Sequence, residues 1–111
     1  MNTTRIKEEV SITEFNKIVA IHRSNITVSR HALDHLSSAQ RNIFTEEDLK
    51  RKILRDNPNF VGLQMNGRYA AFYRREDNYL KLILELKGLK LEIITFINVE
   101  NLPNVRTENG N

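Results

Sequence analysis

Two of the chain's three histidines, His31 and His35, stand four residues apart, a spacing that puts both on one side of a helix. An imidazole titrates near neutrality, so either ring can take or give a proton in a reaction. The same pair could start a metal site, but no His-Glu-x-x-His pattern and no carboxylate cluster follows to complete one. The plainer alternative is two solvated histidines near a helix start. His22 instead shares a stripe with Phe15, Ile18 and Val19, which marks it as a core-edge residue. Arg68, Arg74 and Arg75 alternate with Tyr69, Phe72 and Tyr73. Such interleaving suits phosphate contact and base stacking, and strand packing alone also produces it. The basic run Lys50-Arg51-Lys52 follows Glu46-Glu47-Asp48 at i+4, the pattern of a salt-bridged solvent face. Glu85 and Glu92 oppose apolar rows on strands and read as solvated carboxylates with acid–base capacity. Thr95 is the one hydroxyl in the row Leu91, Ile93, Thr95, Ile97. There is no glycine-rich phosphate loop, nucleophile elbow or heptad repeat.

The elements that must position these groups follow from capping and period. Ser11-Ile12-Thr13-Glu14 has the form of a capping box, with Val10 and Phe15 as a hydrophobic staple, so the spacing predicts a helix over 12–22. Residues 1–9 carry no readable period. Ile26-Thr27-Val28 is a short β-branched segment, and Ser29 caps a predicted helix over 30–39 bearing Leu33 and Leu36. Thr45, the acidic turn Glu46-Glu47-Asp48 and the staple pair Phe44 and Leu49 start a third helix, which Asp56-Asn57-Pro58 ends near Arg55. Beyond Pro58 the period becomes two. Strands over 60–65 and 68–75 flank the hairpin turn Asn66-Gly67. Tyr79 to Lys87 alternates strictly, with Leu80, Leu82, Leu84 and Leu86 on one face. After Gly88, Leu91, Ile93, Thr95 and Ile97 are expected on one face of a last strand and Lys90, Glu92, Ile94 and Phe96 on the other. The expected fold is α+β, with N-terminal helices packed on a four-stranded antiparallel meander. Ile83, Ile94 and Phe96 would then crowd the outer sheet face and need cover from the first helix, a second subunit or a partner. The tail over 103–111 reads as frayed.

Composition bounds the alternatives. A chain of 111 residues is one domain, with 1–24 as an extra helical segment before a core over 25–102. It has no cysteine, which excludes a disulfide scaffold, a thiolate metal site and a cysteine nucleophile. Seventeen basic and fourteen acidic residues give +3, spread evenly along the chain, so any basic patch must be assembled by folding. No apolar run is long enough for a membrane helix or a signal-peptide core, and the expected location is the cytoplasm, with no membrane partner. The residues call for no cofactor.

The stretch from Ile26 to Ile97 resembles the barnase, EndoU, colicin and RelE-like superfamily of ribonuclease toxins, particularly its BrnT-like and phage-encoded branches. The resemblance rests on Ile26-Thr27-Val28-Ser29-Arg30-His31-Ala32 entering a helix, Phe44-Thr45-Glu46-Glu47-Asp48-Leu49 starting another, Asp56-Asn57-Pro58, Gly67-Arg68-Tyr69 in the meander, and the closing Ile94-Thr95-Phe96. It implies an active centre made from His31, Arg68 and Thr95, with Lys81 as a substitute for the arginine and His35 beside the entry histidine. Arg30, Tyr69, Tyr73, Arg74 and Arg75 would hold RNA. It further implies metal-independent cleavage by the RNA's own 2′-hydroxyl, and a cognate antitoxin or other protein as partner. The alternative is a catalytically inactive RNA- or protein-binding module of the same fold. The connection from Ser37 to Phe44 is longer than the family's compact loop, and residues 1–24 are additional to it.

Overall fold

A computed structural model of the chain describes residues 3–35 and 45–103, with the side chain of His35 outside that description. Leu36 and Phe44, named above as a core position and a staple, and the tail beyond 103 also lie outside the described residues. In chain order the elements are β1 (Ile6–Val10), α1 (Ile12–Ile21), β2 (Ile26–Val28), α2 (Arg30–His35), α3 (Glu46–Arg55), β3 (Phe60–Gln64), β4 (Tyr69–Arg74), β5 (Tyr79–Lys87) and β6 (Lys90–Val99). The result is an α+β globule built on one six-stranded mixed sheet, in the order β1-β3-β4-β5-β6-β2. The expected four-stranded meander is its centre. Two corrections apply: β1 and β2 extend the sheet at its two edges, and the helices are interleaved with those strands instead of preceding the sheet. No described helix is long and apolar enough to cross a membrane.

Local chemistry explains most boundaries. Ser11 Oγ accepts from the Glu14 amide at 3.0 Å to start α1. A reciprocal box starts α3: Thr45 Oγ1 accepts from the Asp48 amide, and the Asp48 carboxylate accepts from the Thr45 amide. Those bonds, with Arg51 beside it, hold the Asp48 carboxyl below its usual range. Lys50, Arg51 and Lys52 of α3 are each ion-paired, one of the three with the partner that the acid-before-base i, i+4 spacing predicts. Lys50 meets Glu46 as expected, while Arg51 takes Asp48 and Lys52 takes Asp56. At the β3–β4 hairpin Gly67 has φ +87°, the left-handed region that glycine enters without strain.

The polar β1 pairs antiparallel with β3, setting Ile6 opposite Gln64 and Val10 opposite Val61. Only its end residues, Ile6 and Val10, are half-buried, so a hydrophobic period was never available to announce it. The short β2 lies parallel to β6, with Ile26 opposite Leu91 and Val28 opposite Ile93. Immediately after it, the Ser29 amide donates to the Ile93 carbonyl at 2.9 Å and Ser29 Oγ to the Ile94 carbonyl at 2.7 Å. The same Oγ accepts from the Ala32 amide, so one serine both starts α2 and fastens it to β6.

The sheet separates two cores. On the helix side Phe15 and Val19 of α1, Ala32 of α2, and Leu49 and Ile53 of α3 pack against Val61, Ala71, Tyr73, Leu80, Leu82, Leu84, Leu91, Ile93 and Phe96. The outer side has a smaller cluster of Phe60, Ala70, Phe72 and Ile83, joined by Ile6, Tyr79, Ile94, Val99 and Leu102. Cover for the outer face therefore comes from strand β1 and the segment after β6, while α1 docks on the opposite side.

One irregularity reassigns the faces of β6. Ile83 pairs with Thr95 but its neighbour Leu84 pairs with Ile93, leaving Ile94 as an unmatched bulge residue. Leu91 and Ile93 face the helices as expected; beyond the bulge Phe96 takes that side, and Thr95 and Ile97 turn outward.

Leu80, Leu82 and Leu84 are fully buried, whereas Leu86, at the end of the same row, is 40% exposed. Leu82→Ala should therefore cost about 2–5 kcal/mol in urea melts, and Leu86→Ala less than about 1 kcal/mol. Equal losses for the two would show that the row is not graded as described.

Candidate functional site

The outer face is ordered as rows across the strands. Gln64 of β3 and Arg68 face one another across the hairpin, the Gln64 amide donating to the Arg68 carbonyl at 2.8 Å, and Arg68 Nε reaches Glu85 of β5 at 3.1 Å. The next row is Gly62, Ala70, Ile83 and Thr95, and the one beyond it Phe60, Phe72, Lys81 and Ile97. The middle row is low wherever its side chains are short. Ile6 fills the space above Gly62, where an added Cβ would lie 2.8 Å from it. The hollow that remains is a cavity of about 410 Å³, lined by Gln64, Arg68, Lys81, Ile83, Thr95 and Ile97, with Thr4, Asn66, Phe96 and Asn98 around them. That volume is within the usual range of small-ligand clefts.

Its electrostatics are uneven. Arg68 is held through Nε by Glu85, and Glu92, opposite Glu85, is bridged to Lys87 at 2.6 Å. The Glu92 carboxylate raises the Lys87 ammonium above its ordinary value. Lys81 is different. It has no ion pair among the described residues; its Nζ lies 5.5 Å from the Phe72 ring centroid, a cation–π arrangement. Half-burial lowers its pKa, because desolvation penalises the ammonium. A lysine shifted in that direction exchanges its proton closer to neutrality than a solvated one.

Three of the five residues expected at an active centre thus line one cavity: Arg68 before β4, Lys81 on β5 and Thr95 on β6. His31 is not part of that lining. It stands exposed in the first turn of α2, two residues after the serine that clasps β6 at Ile93 and Ile94, directly before Thr95. His35 ends the same helix. Arg30 is exposed at its start. Tyr73 is 1% exposed in the helix-side core, and Tyr69 is half-buried on the same side. Neither ring belongs to the cavity, so base stacking on them has no support in this arrangement. Arg74 lies over the Tyr79 ring at 5.4 Å and donates to its hydroxyl, while Arg75 donates to the Asn98 side chain at the cavity's edge. Among the described residues no group of three His, Asp or Glu side chains gathers where a metal could be held. His22 caps α1, with Nδ1 2.7 Å from the Ile18 carbonyl.

Sequence reasoning missed Gln64. It is 1% exposed, it lines the cavity, and among the described residues neither its Oε1 nor its Nε2 has a hydrogen-bond partner. The available signal was its place at the end of Phe60-Val61-Gly62-Leu63; the structure closes the hairpin over Met65-Asn66-Gly67, one residue longer than the expected Asn66-Gly67 turn, so Gln64 and not Met65 pairs with Arg68. Comparison of the chain with protein-family models, with curated proteins and with solved structures finds no match.

Burial raises the pKa of the Tyr73 phenol and the Asp56 carboxylate adds to the effect. The folded chain therefore retains a proton that the unfolded chain releases near pH ~10. Stability from this group is fully present below about pH 10 and is lost as pH rises beyond it. Tyr73→Phe should flatten that alkaline decline. Near pH ~7 it should cost less than about 1 kcal/mol, because the hydroxyl it removes is buried without a partner among the described residues. Thermal melts of both proteins across this range test the assignment, and parallel curves would contradict it.

Proposed function

We propose that the chain is a metal-independent endoribonuclease and that the cavity on the outer sheet face binds the scissile phosphate. The observation that carries this reading is the meeting of Arg68, Lys81 and Thr95, from three separate stretches of sequence, around one hollow. RNA brings its own nucleophile. The 2′-oxygen attacks phosphorus, its proton passes to a base, the P–O5′ bond breaks, and the leaving 5′-oxygen takes a proton from an acid. The products are a 2′,3′-cyclic phosphate and a 5′-hydroxyl. The chain needs a base, an acid and positive charge for the phosphorane.

Arg68 supplies the charge, its Nε already anchored by Glu85 so that the guanidinium is oriented before RNA arrives. Thr95 Oγ1 donates to a phosphate oxygen. Lys81, lowered by burial, serves one proton transfer from within the cavity. His31 serves the other from the start of α2, which Ser29 ties to the strand carrying Thr95. The second reading is a catalytically silent module of the same fold that binds RNA or a protein. The exposed position of His31, outside the cavity lining, favours it.

Single-turnover cleavage of labelled RNA with EDTA present separates the two. Positioned acid–base groups are typically worth about 10²- to 10⁴-fold, so His31→Ala and Lys81→Ala should each lose activity in that range. Arg68→Ala should fall comparably, by removing charge stabilisation, and His22→Ala should change little. No cleavage of a varied RNA panel by the wild type, with salt-dependent RNA binding retained, selects the binding module.

A further inference from the structure

Among the described residues that line the outer cavity two are cations, Arg68 and Lys81, and none is a carboxylate, while Thr95, Asn66 and Asn98 add hydroxyl and amide groups. Glu85, which holds Arg68 through Nε, lies outside that lining. Such a wall suits an anion. Lys81 also differs from the chain's other lysines. Lys50, Lys52 and Lys87 each meet a carboxylate, which favours the charged ammonium, and Lys7, Lys17 and Lys90 are exposed to water. Lys81 alone combines a half-buried place in a cavity wall with the lack of an ion pair among the described residues, its Nζ having the Phe72 ring for a neighbour instead. Burial favours its neutral amine, the form with a lone pair to give.

We infer that Lys81 binds covalently: the cavity takes an aldehyde that carries a phosphate, with Lys81 joining the carbonyl carbon as an imine and Arg68 holding the phosphate. This goes beyond the RNA reading of the cavity and does not depend on it. The Nζ lone pair attacks the carbonyl carbon and the C=O π pair moves to oxygen. The carbinolamine so formed loses that oxygen together with both amine hydrogens as water, leaving a C=N bond, and the step needs no oxidant or reductant. Spacing sets the length of the ligand. Lys81 and Glu85, the partner of Arg68, stand four residues apart on β5, about 13 Å along a strand that rises ~3.3 Å per residue. Phe72 keeps Nζ near its own row and Glu85 keeps the guanidinium near the other. Aldehyde and phosphate must therefore be several bonds apart. Between them lies the middle row, where buried Ile83 gives an apolar floor and Thr95 a hydroxyl beside it.

The probe is pyridoxal 5′-phosphate, with 5′-deoxypyridoxal as the same aldehyde lacking the phosphate. The full chain is incubated with each, the imine is reduced with borohydride, and the labelled lysine is located by peptide mass spectrometry. Pyridoxal phosphate should label Lys81 at a concentration about 10-fold or more below that needed for any other lysine, and about 10-fold below that at which 5′-deoxypyridoxal labels it, since one hydrogen bond to a charged group is worth about that much. Excess inorganic phosphate should protect Lys81 in the wild type. Arg68→Ala should bring pyridoxal phosphate down to the level of 5′-deoxypyridoxal, and Lys81→Arg, which keeps the charge, should abolish the imine absorbance and leave the melting temperature in place. Label spread over Lys7, Lys17 and Lys90 according to their exposure overturns the inference. So does equal labelling of Lys81 by the two aldehydes, or a Lys81 that phosphate does not protect. Protection is read on the wild type alone, so the test stands even where Arg68→Ala fails to fold. Each outcome is independent of whether the chain cleaves RNA.

Discussion

Everything on the outer face depends on one extra residue in β6. A strand's side chains alternate, so inserting a single unpaired residue reverses the face of every residue beyond it. Ile94 is that residue. Without it, Thr95 and Ile97 would point into the helix-side core and Phe96 would stand over Ile83. With it, Phe96 is 8% exposed in the main core, and Thr95 comes out beside Ile83, within the hollow that Arg68 and Lys81 border. The bulge lies where Ser29 grips the Ile93 and Ile94 carbonyls, so the same irregular point carries the start of α2. The placement of a hydroxyl on the sheet and of a histidine at its border thus has a common cause.

The two sides of the sheet place different demands on charge. The helix side is dry and apolar, and its polar intruder, the Tyr73 hydroxyl, is neutral at ordinary pH. The outer side is only partly covered, by Ile6 from one direction and by Ile94, Val99 and Leu102 from the other. Arg68 and Lys87 are neutralised by Glu85 and Glu92, one carboxylate each. Lys81 shares the face without such a partner, and burial works against its charge. An anion entering the hollow would reverse that penalty at Lys81, whereas at Arg68 it would share a guanidinium that Glu85 has already oriented.

Elements with a strong hydrophobic period or a cap were legible in the sequence. The helices α1 and α3, the Asn66-Gly67 hairpin and the alternating β5 stand where Ser11, Thr45, Gly67 and the leucine row put them. The strand β1 was not legible, since Lys7, Glu8 and Glu9 are exposed and its membership comes from backbone pairing to β3 alone. Nor was the bulge, because Leu91 to Ile97 alternates equally well in the wrong register once Thr95 is allowed inside. Arg68, Lys81 and Thr95 were named from a resemblance in motif order, and their shared cavity depends on a register that no spacing along β6 reveals. Gln64 escaped notice because a polar residue at a strand end is by default solvated; here it pairs with Ile6 of β1, contributed by the segment that had no readable pattern.

An unbonded buried amide typically costs about 1–3 kcal/mol, a sizeable fraction of the stability of a domain this small. Leucine or methionine at the same position would fill the space without that loss. Lys81 carries a second penalty: a cation kept half-buried, with the Phe72 ring and no carboxylate beside it among the described residues. Both lie on the thinly covered outer face, in the walls of a single hollow, whereas Lys50, Arg51 and Lys52 on exposed α3 each meet a carboxylate. Groups already desolvated and already fixed have less to lose when a ligand binds, so two such penalties in the walls of one hollow suit that hollow to binding.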